Sequence, residues 1–294
     1  MKSYQKTTGT ALFHIIAILT VSIWGVTFVC TKVLINHGLS PTEIFLYRFL
    51  IAYLCIIPIA PKRLWAANAR EEAAMMACGL CGGSLYFIAE NTALRLTFAS
   101  NVSLLICTAP IFTMLLSNII FHSTLRKGML LGSIIALCGI GMVVFNGSIQ
   151  LGTNPLGDLL TIVAAILWAL YSLLLRRLGT RYPTLFITRK VFFYGAASAI
   201  AYFILTARLP RLDTLTHPTV YLNLIFLGIV ASMLCYVMWN AAVKALGAEK
   251  TSNYIYCVPM ITIITSILFL SEPFTLITFL GTVCIIGGVY LAER

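Results

Sequence analysis

The feature that most constrains this chain is the recurrence of long apolar runs. Ten stretches of about the 20 residues that an α-helix needs to cross a bilayer lie near 11–35, 42–60, 72–94, 97–121, 128–146, 156–176, 184–206, 219–243, 251–270 and 275–292. Short polar or Pro/Gly segments separate them, and no region remains for a soluble domain. Only 10% of the 294 residues are charged, against 60% hydrophobic, whereas about a quarter are charged in soluble domains. The pattern predicts an all-α integral membrane protein of ten transmembrane helices. The first stretch is too long for a signal sequence and lacks a small-residue cleavage pattern, so it reads as a retained span.

The net charge of +11 raises the question of a nucleic-acid partner. The basic residues follow topology instead of gathering on one face. With the N-terminus inside, the inner ends carry Lys2, Lys6, Lys62, Arg63, Arg70, Arg126, Lys127, Arg176, Arg177, Arg181, Lys244, Lys250 and Arg294. The outer ends carry only Arg95, Arg208 and Arg211. Both termini are therefore expected in the cytoplasm, with the chain in the cell membrane, a bacterial inner membrane by expectation. Its expected partners are a small-molecule substrate and lipids, without nucleic acid, and its expected state is a monomer or weak homodimer. All nine cysteines fall within spans and read as small apolar residues. Cys78 and Cys81 have the C-x-x-C spacing but no second Cys or His pair to complete a zinc site. No cofactor is called for, and no Walker motif offers ATP as a driver.

The chain repeats itself. A shift of 149 residues aligns 79–139 with 228–288 without a gap, pairing Gly79 with Gly228, Asn91 with Asn240, Ser103 with Ser252, Pro110 with Pro259, Thr113 with Thr262 and Gly139 with Gly288. Upstream, a shift of 144 pairs Trp24 with Trp168 and Lys32 with Arg176; after a two-residue gap Pro41 meets Pro183 and Arg48 meets Lys190. The repeat unit holds five spans, so the halves are 1–147 and 148–294. An odd number makes the second copy enter the membrane from the opposite side. Two inverted repeats around a central cavity are the architecture of secondary transporters working by alternating access.

The stretches "SIWGVTFVCTKVLINHGLSPTEIFLYRF" and "NAAVKALGAEKTSNYIYCVPMITIITSILFLSEPFTLITFLGTVCIIGGVYL" resemble the first two and the last two and a half spans of the EamA-type family in the drug/metabolite transporter superfamily. The resemblance implies ten helices in two inverted five-helix bundles, a central cavity and export of small metabolites. Where that family usually has Gly-Glu after the fourth span, this first half has His122-Ser123, while the second half has Ser271-Glu272.

Charge within a span costs at least about 2.5 kcal/mol at the membrane centre and normally faces a cavity or a partner. Lys32, Arg48 and Glu90 share a depth near the outer end, so Glu90 is expected to neutralise Lys32 or Arg48 and leave one cation for an anionic group. Snorkelling is the alternative for Lys32. Lys190, the repeat mate of Arg48, sits at the corresponding inner depth, as paired gates require. Pro110 and Pro259 fall mid-span and are expected to kink helices four and nine, freeing the carbonyls of Ile106 and Ile255. Trp24 and Trp168 lie near mid-membrane, too deep for an interfacial belt, and are expected to line the cavity. Thr27, Tyr86, Tyr171, Trp239 and Tyr256 complete its expected aromatic and polar wall. The amides Asn91, Asn101, Asn240 and Asn253 are candidates for substrate contact or bonding between helices.

The leading function is a secondary transporter, an exporter of a small amphipathic metabolite such as an amino acid. A channel would need rings of charge or carbonyls along one pore. A membrane enzyme would need a catalytic constellation, and the four histidines form no His-Glu-x-x-His motif.

Overall fold

The computed structural model describes residues 2–61, 63–97, 99–122, 127–144, 155–207, 210, 212–270 and 276–293, with most but not all of their side chains from residue 11 onward. Twelve helical segments dominate the described residues. They are α1 (Lys2–Asn36), α2 (Pro41–Ile56), α3 (Ala69–Leu96), α4 (Ala99–Ile106), α5 (Ala109–Phe121) and α6 (Lys127–Val144). After these come α7 (Pro155–Gly179), α8 (Thr184–Leu205), α9 (Pro218–Leu246), α10 (Ala248–Asn253), α11 (Val258–Leu270) and α12 (Leu276–Glu293).

Local chemistry sets the boundaries. Ser40 caps α2 in a reciprocal box with Glu43, with Pro41 in the first turn, where its missing N–H has no intrahelical partner to lose. Asn68 caps α3 by accepting from the Glu71 amide at 2.9 Å. Helix α9 ends at Gly247, whose φ of +90° suits a residue without a Cβ. Helices α3 and α9 each contain a wider π-turn, at Leu80–Ser84 and Phe226–Leu234. Adding 149 to the first range gives 229–233, inside the second, so the two distortions occupy equivalent places in the repeat.

Four segments are long and apolar enough to cross a membrane by themselves: Ala11–Asn36, Ala69–Leu96, Pro155–Gly179 and Pro218–Leu246. The other expected spans are shorter or interrupted. Helix α2 has 16 residues, about 24 Å at 1.5 Å per residue, below the roughly 30 Å of a hydrocarbon core. The fourth and ninth expected spans are each divided. Pro110 and Pro259 stand in the first turns of α5 and α11, so they begin new helices instead of kinking continuous ones. A proline costs least at a helix start, which is why the breaks fall just before them.

Contacts between helices are reciprocal. Helix α1 packs on α9 and α11, and α7 packs on α3, α4 and α5; α2 packs on α9, and α8 on α3. Helices α2 and α8 meet each other, as do α6 and α12. The outward surface is apolar, with Leu54, Ile119, Ile204, Leu205 and Tyr290 exposed. Such a surface suits lipid tails, whereas on a soluble monomer a large apolar patch is rare. All nine cysteines are free thiols.

Candidate functional site

The π-turns of α3 and α9 bring the centre of the molecule together. Trp24 of α1 and Trp168 of α7, paired in the sequence repeat, meet edge to face with centroids 5.1 Å apart. Trp24 Nε1 donates to the carbonyl of Ala231 in the α9 π-turn at 2.9 Å. The equivalent carbonyl in α3 belongs to Gly82, since 82 plus 149 is 231. It accepts instead from the Tyr236 hydroxyl, and Trp168 Nε1 is left buried with no acceptor. The repeat mate of Tyr236 is Phe87, which has no hydroxyl, so one substitution between the halves unbalances the two indoles.

These rings border a cavity of about 40 Å³ lined by Trp24, Thr27, Phe28, Arg48, Tyr86, Phe87, Glu90, Ile106, Trp168, Tyr236, Ile255 and Val258. That holds a few water-sized spheres of about 10–15 Å³ each, far less than a metabolite needs. Thr27 donates to the Trp24 carbonyl at 2.7 Å. Arg48 is 2% exposed; its Nε donates to Ser232 Oγ at 2.9 Å, and its Cζ stands 4.1 Å from the centre of the Phe87 ring. Glu90 is buried, and its Oε1 accepts from the Tyr86 hydroxyl at 2.7 Å.

Of the two cations expected to be neutralised by Glu90, Arg48 lines the same cavity and Lys32 does not. Among the described residues no ion pair joins Glu90 to either cation. Lys32 Nζ donates to the carbonyls of Leu94 at 2.6 Å and Thr97 at 3.2 Å. These belong to the end of α3, where unsatisfied carbonyls carry partial negative charge that favours a cation. The helix end therefore supplies the compensation that was assigned to a carboxylate.

Six sequence candidates thus border the cavity: Trp24, Thr27, Arg48, Tyr86, Glu90 and Trp168. Asn91, Tyr171, Trp239, Asn240, Asn253 and Tyr256 are buried in the packing outside its lining. Trp239 supports Trp24, with ring centroids 5.0 Å apart. Tyr171 donates to Asn240 Oδ1 at 2.6 Å, and Asn240 Nδ2 donates to Thr188 Oγ1 at 2.8 Å. Asn91 donates to the Pro41 carbonyl at 3.2 Å. The side chain of Asn101, along with Ser123, Ser271 and Glu272, lies outside the described residues. Ile106 and Ile255, whose carbonyls the prolines were expected to free, both line the cavity, and the Ile255 carbonyl accepts from Cys107 Sγ at 3.3 Å.

Phe28, Phe87, Tyr236 and Ser232 were missed. Phe87 and Tyr236 are aromatic repeat mates at the shift of 149, a signal present in the alignment but submerged in apolar runs. Ser232 has Gly83 as its mate and offered no such signal.

Lys190 lies away from this cavity, beside the segment joining α2 to α3. It pairs with Glu72, which also accepts from Tyr194 and from the Ala66 amide. Its ammonium stands 4.6 Å from the Trp65 ring centre. Arg189 donates to the carbonyls of Pro61 and Arg63, and Glu71 accepts from Arg181 and Tyr182. Burial and, next, the Glu71 carboxylate hold the Tyr182 phenol above its ordinary pKa.

The family model of the EamA-like transporters matches residues 12–145 and again 155–293. The chain belongs to the EamA-like transporter family. Among relatives of this EamA-like protein, an uncharacterized transporter of Archaeoglobus fulgidus is 28% identical, covering 95% of this chain and 96% of that one. A probable amino-acid metabolite efflux pump of Escherichia coli is 24% identical, over 94% and 93%. A probable terminal-alkyne amino-acid exporter of Streptantibioticus cattleyicolor is also 24% identical, over 94% and 92%. A solved crystal structure, 19% identical, shares the fold at a TM-score of 0.74 over 97% of this chain and 96% of the other. The EamA-like chain is thus a transporter, and its apolar helices place it in a membrane.

Proposed function

We propose that this protein is a secondary carrier that exports a small amphipathic metabolite, such as an amino acid or related compound, by alternating access. It would cross the cell membrane ten times as two inverted five-helix halves, 1–147 and 148–294, with both termini in the cytoplasm. The observation that carries the reading is the central cavity: buried Arg48 and Glu90 stand within an aromatic wall contributed by both halves. Reciprocal packing of α1 on α9 and α7 on α3 supports the two-half arrangement, as do the separate family matches to each half. The small size of the cavity favours a gated carrier over an open pore. The amino-acid class draws on the names of two relatives.

Counterflow in proteoliposomes tests this. Preloaded substrate should accelerate uptake of labelled substrate, and saturable flux without such acceleration would contradict a carrier. Tags on the two chain ends should report the same membrane face; opposite faces would remove the inverted-repeat arrangement.

A further inference from the structure

The central cavity has an imbalance between donors and acceptors. Arg48 engages only its Nε, on Ser232; its two terminal nitrogens have no protein acceptor among the described residues. Trp168 Nε1, on another lining residue, is likewise buried without an acceptor. Buried donors are normally paired; Glu90 shares the cavity with Arg48 without reaching ion-pair distance, so the terminal nitrogens keep hydrogen-bonding capacity that an incoming anion would use. Ser232 fixes the guanidinium from one side and Phe87 covers its face. The terminal Nη1 and Nη2 edge is left for two parallel hydrogen bonds, the pattern that suits two oxygens of one anionic group.

Charge selects among anions. The cavity holds one cation, Arg48, and already contains the Glu90 carboxylate. A phosphate dianion would add two negative charges to a site with a single positive one, whereas a carboxylate adds one. The remaining lining is aromatic and aliphatic, which suits an apolar body.

We propose that Arg48 receives the carboxylate of the transported molecule, with Ser232 as its positioning residue, so that the substrates are small carboxylates with apolar or aromatic bodies. This rests on the carrier reading and names the ligand chemistry of the same cavity. Binding requires the cavity to widen by movement of the surrounding rings.

The test compares three probes that share one body: phenylalanine, 3-phenylpropionate and 2-phenylethylamine. Binding to the purified full chain is followed by quenching of indole fluorescence at millimolar concentrations. Both carboxylates should bind and the amine should not. A preference for phenylalanine over 3-phenylpropionate would assign its ammonium to Glu90; equal binding would assign the carboxylate alone, and either agrees with the proposal. Arg48→Gln should weaken both carboxylates about tenfold or more, as expected for loss of a charge-assisted bidentate contact, and Arg48→Lys should recover part of that loss. Ser232→Ala retains the cation and should weaken the carboxylates several-fold, which keeps the test informative if Arg48→Gln fails to fold. Amine binding equal to that of the acids, no binding of either carboxylate, or an unchanged ranking in Arg48→Gln would overturn the proposal. Carboxylate binding without counterflow would sink the carrier reading alone; counterflow indifferent to the carboxylate would sink this inference alone.

Discussion

Gly79 and Gly228 are the places where each third helix crosses a second helix of the other half, and alanine at either should force those helices apart. A Cβ on Gly79 would stand 2.6 Å from Tyr194 Cβ and 3.2 Å from the Val191 carbonyl of α8. On Gly228 it would stand 2.6 Å from Ile51 Cβ and 3.3 Å from the Arg48 carbonyl of α2. Non-bonded carbons rest at about 3.5–4.0 Å, so each crossing must open by about 1 Å. Both partners are the first side-chain atoms on helical backbones, so no rotamer change relieves the clash. Overpacking of this kind costs about 1–3 kcal/mol, and alanine returns up to about 1 kcal/mol in helix propensity. With the full propensity gain the net expectation is a loss of about 0–2 kcal/mol for each variant, by difference of those two ranges. Gly287 is the control: a Cβ there meets nothing within 4 Å, so Gly287→Ala should be neutral or stabilising. Thermal unfolding of the purified protein in detergent reads all three. If Gly79→Ala and Gly228→Ala melt with Gly287→Ala, the close crossings do not exist as described.

Asn240→Leu should destabilise by about 1–3 kcal/mol, because Tyr171 and Thr188 each lose a buried partner. Tyr171→Phe should cost less, about 1 kcal/mol, and chemical denaturation distinguishes the two. Lys190→Gln removes the ion pair to Glu72. It should raise hydrogen exchange at the amides of residues 63–68, which that carboxylate and its neighbours hold down; unchanged exchange would show that the loop is held without Lys190. Gly247→Ala should cost about 1–3 kcal/mol through the backbone alone, because φ +90° with ψ 155° is a conformation that glycine alone adopts readily. The glycine has no neighbour within 4 Å of its virtual Cβ, so steric crowding offers no competing explanation in a melting experiment.

Much of the helical layout was legible because lipid leaves the backbone few options. Trp24 and Trp168 were expected on the cavity wall from their mid-span positions, and both border it; their edge-to-face meeting was not read from the sequence. Nor was the charge pairing. Lys32 binds backbone carbonyls, which carry no residue-type signature, and Lys190 binds Glu72 across 118 positions of sequence, a separation over which spacing says nothing. Tyr86 and Glu90 were within reach, being four apart and therefore on one helical face, but a carboxylate inside a span points first to a cation as its partner. The prolines misled because a mid-span position in an unbroken apolar run reads as a kink, whereas the chain divides two residues earlier and restarts.

The sequence repeat carries unequal charges at matched positions, and its mates have come to make different contacts. Lys32 and Arg176 are repeat mates and do comparable work where a third helix gives way to a fourth. Lys32 uses the carbonyls that end α3, while Arg176 reaches Glu249 at 3.1 Å, just beyond the end of α9. Arg48 and Lys190 are also mates but have diverged further. Arg48 points its charge into the central cavity beside Ser232, and Lys190 turns toward Glu72 and the rings of Trp65 and Tyr194. Among the described residues, the three ion pairs all lie at the end that holds the α2–α3 and α7–α8 connections and the start of α10. The described contacts at the opposite end include the carbonyls that hold Lys32 and the approach of His37 to His217, 5.0 Å between ring centres. Exposed ion pairs weaken with salt and enclosed ones much less; Arg181 in its pair with Glu71 is exposed, whereas Lys190 and Glu72 are enclosed. Raising ionic strength should therefore loosen the Arg181–Glu71 pair before the Lys190–Glu72 pair. Hydrogen exchange at the amides flanking Arg181 and Lys190, followed as salt is raised, measures that order directly, and equal sensitivity of the two segments would refute it.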